Sequence, residues 1–269
     1  MILVVRLPRV HLMFATVVGN TRVELLVVWI AGVNEFTPMA GLVDVGQRLV
    51  YCGATIISNR YVITAAHCVE AAGTKDLNNV GILVGDHDVS TGGDTPAAAL
   101  YRIQSYDIHP QYESKTYQND LAILRTTGAM NFSIYVGPAC LPFRYSTFDF
   151  QGVTVTALGW GLKEFSGPTS DILQKVNLTV EPSNECMTQY PDRVTANQIC
   201  TYAPGKDSCQ SDSGGPLFWF DPSSRRLQIL GVISFGLGCA TEKPSVNTRV
   251  TSYLSWIVSK TTDATYCIK

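Results

Sequence analysis

Eight cysteines occur in this 269-residue chain, at 52, 68, 140, 186, 200, 209, 239 and 267, and no two of them form a C-x-x-C pair. Zinc-ribbon and thioredoxin-like sites therefore lack their ligand spacing. No run of lysines or arginines is present, charged residues make up only 16%, and the formal net charge is −2. Without a basic field there is nothing to attract phosphate, which argues against nucleic acid as a partner. No apolar run approaches the roughly 18 residues that cross a bilayer, so a membrane anchor is not expected. Internal repeats, low-complexity tracts and proline-rich linkers are also missing, and any two subdomains must pack directly on each other.

What is there is enough for a full core, since 46% of the residues are hydrophobic. An even number of widely spread cysteines suggests disulfides, and disulfides persist in oxidising compartments, so the expected location is secreted and extracellular. The sequons Asn131-Phe132-Ser133 and Asn177-Leu178-Thr179 agree with this and would make a glycoprotein. Near the N-terminus, Arg6 and Arg9 precede an apolar patch at 12–18, and a second patch at 25–31 follows Arg22. Residues 1–24 read as an irregular signal or pro-segment, with a domain over 25–269. The plainer alternative is that part of this segment packs as an internal strand.

From about residue 40 the chain consists of short β-branched or aromatic runs broken by turn residues: 54–58 (ATIIS), 61–64 (YVIT), 121–124 (LAIL), 153–158 (VTVTAL), 228–234 (QILGVIS) and 246–250 (VNTRV). A helical apolar period shows only at 252–258, with Tyr253, Trp256 and Ile257. The pattern predicts an all-β fold, a barrel or sandwich, closed by one C-terminal helix.

Only four histidines are available as a general base near neutral pH. His67, in ITAAHCVE, follows an apolar strand between small alanines and a cysteine; His87, His109 and His11 sit in loops or in the irregular N-terminus. Alone, a histidine such as His67 is more often structural than catalytic. Asp120, in QNDLAIL, lies at the mouth of an apolar strand, where an aspartate usually just starts the strand. Ser213, in SDSGGPL, is followed by Gly214 and Gly215, which leave the backbone free to bring amides close to a substrate.

The combination is far more specific than its parts. His67, Asp120 and Ser213 occur in the chain order His, Asp, Ser, and TAAHC, NDLAIL and DSCQSDSGGPL together resemble the chymotrypsin-like (S1) serine peptidases, trypsin-like subgroup, of the secreted arthropod type. The resemblance runs from about Gly32 to Trp256 and implies two packed six-stranded antiparallel β-barrels with the site between them. By the same resemblance Ser213 is the nucleophile, His67 its base, and Asp120 the group that orients the imidazole. The amides of Ser211 and Ser213 form the oxyanion hole, where one good donor contributes about 3 to 4 kcal/mol. Asp212 matches the carboxylate that pairs with a new N-terminus after zymogen cleavage. Asp207, six residues before Ser213, matches the base of a pocket for lysine or arginine, lined by Ser208, Ser234, Gly236 and Ser245. The implied disulfides are Cys52–Cys68, Cys186–Cys200 and Cys209–Cys239, which leaves Cys140 with Cys267 or with another chain. The family needs no cofactor for its reaction. Asp86, Asp88 and Asp94 offer oxygen ligands for calcium, but a solvated acidic loop accounts for them more simply, so no metal is assigned. Expected partners are protein or peptide substrates, an activating protease, and serpin-type or other protease inhibitors.

Four positions depart from the family pattern. Ser211 stands where glycine is usual, and its Cβ bears on whether one oxyanion donor keeps its direction. Ser245 and Asn247, in KPSVNTRV, replace a glycine and a tyrosine of the pocket wall, and the activation start is altered, reading Glu24-Leu25-Leu26-Val27-Val28 without glycines. Three readings follow: a secreted endopeptidase cutting after Arg or Lys, the same catalysis with aromatic or aliphatic preference, or a catalytically impaired homologue acting as a binding or regulatory protein.

Overall fold

The computed structural model describes residues 14–17, 23–26, 29–71, 77–161, 169–203, 212–236 and 243–267. Near the N-terminus, β1 (Phe14–Val17) and β2 (Val23–Leu26) pair as a small antiparallel hairpin, so the described part of the first apolar patch is strand. Next come β3 (Trp29–Ile30), β4 (Met39–Asp44), β5 (Leu49–Ser58), β6 (Tyr61–Thr64), α1 (Ala66–Ala71), β7 (Val80–Val84), β8 (Ala99–Ile108) and β9 (Ala122–Thr126). Strands β4 to β9 close into a six-stranded antiparallel barrel in the order β4-β5-β6-β9-β8-β7.

A second set follows: β10 (Thr154–Gly159), β11 (Gln174–Glu181), α2 (Ser183–Gln189), β12 (Gln198–Tyr202), β13 (Pro216–Asp221), β14 (Arg226–Phe235) and β15 (Ser245–Arg249). The order β10-β13-β14-β15-β12-β11, closed by pairing of β10 with β11, makes a second six-stranded barrel, with β3 added beside β11. Both barrels follow from local sequence. Along β11, Val176, Leu178 and Val180 are buried while Asn177 is exposed, the two-residue alternation of a strand with one face inward. By contrast β6, YVIT, is buried at every position, so its run is continuously apolar or small. Leu42, Ile56, Ile63, Ile82 and Leu124 fill the first core, and Val155, Val176, Leu178, Ile199, Leu217 and Leu230 the second.

The chain ends cross over. β3 precedes the first barrel yet extends the second, and Ala31 N donates to Leu173 O at 2.9 Å. At the other end, a 3-10 turn (Val250–Tyr253) leads into α3 (Leu254–Lys260), which follows the second barrel but packs on the first. Leu254 and Ile257 join the first core, Lys260 Nζ meets Asp107 at 2.7 Å, and Tyr61 OH donates to Asp263 at 2.5 Å. Each barrel is thus held by a segment from the far end of the other, which fixes the seam between them. Disulfides join Cys52 to Cys68, Cys186 to Cys200 and Cys140 to Cys267; Cys209 and Cys239 lie outside the described residues. Among the described residues no helix is long and apolar enough to cross a membrane.

Candidate active site between the two barrels

The seam gathers side chains that lie far apart in sequence. His67 is the second residue of α1, the short helix that leaves β6, and Asp120 lies two residues before β9. The first N–H groups of a helix have no partner within it. Here Asp120 Oδ1 accepts the His67 amide at 2.9 Å, while Asp120 Oδ2 accepts from His67 Nδ1 at 2.7 Å. One carboxylate therefore fixes both the backbone and the ring of the histidine. With its proton on Nδ1, the ring leaves Nε2 as a free base.

Asp120 is wholly buried, and a buried carboxylate is tolerable only when its oxygens are satisfied. The second barrel supplies what is missing. Ser234 Oγ, on β14, donates to Asp120 Oδ2 at 2.5 Å, and Thr248 Oγ1, on β15, donates to the Asp120 carbonyl at 2.7 Å. Tyr253 OH adds a bond to the neighbouring Asn119 side chain at 2.9 Å. Ser234, expected on the wall of the substrate pocket, has its hydroxyl on this carboxylate.

The Ser213 turn is held in the opposite sense, by the first barrel. Gly53 N, on β5, donates to Ser213 O at 2.8 Å, and Cys68 Sγ lies 3.5 Å from that carbonyl and 3.8 Å from His67 Nε2. The Cys52–Cys68 bridge therefore runs between the histidine and the serine turn. Gly214 has φ +79°, and a Cβ there would come within 2.5 Å of Gly53 O, so this position requires glycine on two counts. Gly214 N then donates to Ile233 O at 2.8 Å and Gly215 N to Asp212 O at 2.9 Å. Asp212 Oδ1 accepts the Gly161 amide at 2.9 Å and sits against the bare Cα of Gly159.

Three expected site residues, Asp207, Ser208 and Ser211, lie outside the described residues. Gly236 is exposed just beyond β14. Ser245 and Asn247 are buried on β15; Asn247 stands opposite Ile199 and Ile233 and donates to Thr201 Oγ1 at 3.0 Å, a polar side chain set among core residues. In the loop of Asp86, Asp88 and Asp94, residues 90–94 are exposed as a solvated loop would be, whereas Asp86 and His87 are buried. Burial and the nearby Asp94 push the Asp86 carboxyl up to about 6. Cys52, His67 and Cys68 are close enough to suggest a metal site, but both sulfurs are spent in a disulfide, leaving no thiolate to ligate one.

Sequence reasoning missed a layer of supporting residues. Tyr117 places its ring edge-on to His67 at 5.2 Å, from a left-handed backbone with φ 59°. Phe235 meets Tyr117 at 5.7 Å, and Arg193 lies over both rings. Gly53, Thr248 and this aromatic group carry no local signal, since the site contacts they make are with residues distant in sequence; only the alternation of strands into two barrels hints that such contacts form.

Comparison with known proteins follows the same lines. A family model described as Trypsin matches residues 31–257. Venom serine protease 34 of Apis mellifera is 46% identical over 241 residues, covering 88% of this chain and 58% of that protein. Venom serine protease of Polistes dominula is 40% identical over 236 residues, covering 87% and 84%. The proclotting enzyme of Tachypleus tridentatus is 33% identical over 221 residues, covering 79% and 59%. The chain thus spans less than two thirds of the first and third of these relatives.

Proposed function

Because the chain belongs to the trypsin family of serine peptidases, we propose that it is a secreted serine endopeptidase that cuts after Arg or Lys through an acyl-enzyme. The observation that carries this is the Asp120 carboxylate, buried and bound to both Nδ1 and the main-chain amide of His67. A serine hydroxyl is a weak nucleophile, so its attack needs a base of fixed tautomer within reach. In this reading His67 Nε2 takes the Ser213 Oγ proton as Oγ bonds to the scissile carbonyl carbon. The oxyanion is held by the amides of Ser213 and Ser211, and the imidazolium by Asp120. His67 then returns the proton to the leaving amine as the C–N bond breaks, and water repeats the sequence to release the acid.

Asp207 supplies the negative charge that selects a basic side chain, and Asp212 receives the N-terminus freed by an activating protease, with Arg22 the proposed cleavage point. Proteins or peptides are the substrates, and protease inhibitors of the serpin type are the expected counter-partners. Disulfides, which persist in oxidising compartments, support the extracellular setting.

The test is hydrolysis of peptides bearing a single Arg, Lys, Phe or Leu by the cleaved protein and by Ser213→Ala. Cleavage after Arg and Lys that is lost in S213A is the expected result. Cleavage after Phe or Leu alone would overturn the basic preference but not the chemistry. Ser211, in place of the usual glycine, favours a second reading, an impaired homologue that binds without cutting; tight peptide binding with no hydrolysis would establish it.

A further inference from the structure

Beside His67 lies a cation on an aromatic bed. The Arg193 guanidinium sits 4.5 Å over the Phe235 ring and 5.9 Å over the Tyr117 ring. Phe235 is also braced edge-on by Tyr190 at 5.5 Å, and Tyr117 in turn meets His67 at 5.2 Å. Phe235 directly follows Ser234, whose hydroxyl holds Asp120, so the whole group is built onto the catalytic frame. Two left-handed residues shape its approach. Tyr117 has φ 59° and Asp192 φ 67°, and the two loops are joined where Gln118 Nε2 donates to Asp192 O at 3.3 Å. A tyrosine at positive φ is uncommon and persists only where surroundings impose it.

Among the described residues no carboxylate takes up the charge on this bed. None of the ion pairs among the described residues includes Arg193, and its Nε is covered without a hydrogen-bond partner. Asp192, the adjacent carboxylate, forms no ion pair with it either. Stacking on two rings holds a guanidinium plane at little further entropic cost, and the planar fork then presents its outer N–H groups to a carboxylate.

We infer that Arg193, stacked on Phe235 and Tyr117 beside His67, selects substrates that carry an acidic side chain a few residues from the scissile bond. The inference rests on the peptidase reading above and narrows it: the preferred substrate carries an acidic side chain near the basic residue at which it is cut. Lysine or arginine in place of the acid would face Arg193 and be disfavoured.

The experiment uses the full chain after N-terminal cleavage and quenched peptides with one Arg, in which Glu, Ala or Lys is placed in turn at each of four positions before it and two after it. At one or more positions Glu is expected to raise kcat/KM about tenfold over Ala, with Lys below Ala, a range set by a charge-assisted hydrogen bond at a partly exposed site. The ratio should shrink as salt rises, since the pair is partly exposed. In Arg193→Gln the Glu-to-Ala ratio should fall to about 1 whatever the absolute rate, and Arg193→Lys should keep part of it. Cleavage at Arg with no acid preference at any position, or a preference unchanged in R193Q, overturns the inference and leaves the peptidase reading standing. Failure to cut any peptide overturns both.

Discussion

The amide of Gly53 in the first barrel donates to the carbonyl of Ser213 in the second at 2.8 Å. A Cβ on Gly53 would stand 2.5 Å from Gly215 Cα and 2.7 Å from Gly215 N, closer than real Cβ atoms approach backbone. The glycine therefore lets the barrels meet at the serine turn. Gly53→Ala is expected to displace Ser213 and lower kcat/KM by at least tenfold, with a stability loss of about 1–3 kcal/mol from overpacking. Steady-state kinetics beside a thermal melt check both parts. Full activity in G53A would show that the contact does not position the serine.

Asp120 makes a graded prediction. Asp120→Asn keeps the shape but removes the charge and the tautomer control, and should lower kcat by about 10³ to 10⁴. Ser234→Ala removes one donor of several and should cost about five- to fiftyfold, mainly in kcat, because the carboxylate loses support while the histidine bonds remain. Equal losses in D120N and S234A would contradict this order.

Gly159 abuts Asp212, and a Cβ there would collide with Asp212 Oδ1. Gly159→Ala should therefore turn the Asp212 carboxylate, free the Gly161 amide that it accepts, and weaken the turn leading to Ser213. Peptide hydrolysis is expected to fall by more than tenfold while the far-ultraviolet circular dichroism stays that of the parent. Unchanged kinetics would remove Asp212 from the account.

Two carboxyls predict opposite dependences of stability on pH. Burial raises the Asp221 carboxyl, but bonds from the Ser224 and Ser223 hydroxyls and the Ser223 amide outweigh it, leaving the group at about 2. Its contribution is present above the ordinary carboxylate value and lost as pH falls through 2. Asp221→Asn should melt lower than the parent at pH 7, with the gap closing toward pH 2. Asp86, pushed up to about 6 by burial and Asp94, stabilises the fold below the ordinary value and loses this as pH rises through 6, with Asp88 adding repulsion. Asp86→Asn should therefore match the parent near pH 4 and melt higher at pH 8. Melting curves at those pH values decide both cases.

Much of this was legible in the chain, and the physical reason for the rest is specific. The strand expected over 61–64 is β6 to the residue, a continuous apolar run between turn residues, whereas β5 and β14 begin before the apolar runs at 54–58 and 228–234, since their first residues are exposed. The terminal helix expected over 252–258 is a 3-10 turn followed by an α-helix running to Lys260. His67 and Asp120 stood out by motif and are joined as expected. The sequence leaves Cys140 to Cys267 or to another chain, and the structure joins the two. The bond from the Ser234 hydroxyl to Asp120 is not legible in the sequence, which places a residue on a strand but not on a partner 114 residues away. Arg193 had no motif at all; its meaning lies in two rings, Phe235 and Tyr117, that only the fold brings beneath it.

Reaction with a fluorophosphonate tests the central claim most directly. The cleaved protein is incubated with the probe, digested and mapped by mass spectrometry, alongside His67→Ala and Ser213→Ala. A single adduct on Ser213 in the parent, absent from S213A and strongly slowed in H67A, is predicted, because only a serine relieved of its proton by His67 attacks phosphorus at a useful rate. No adduct on Ser213, or one that forms equally fast without His67, would contradict the account.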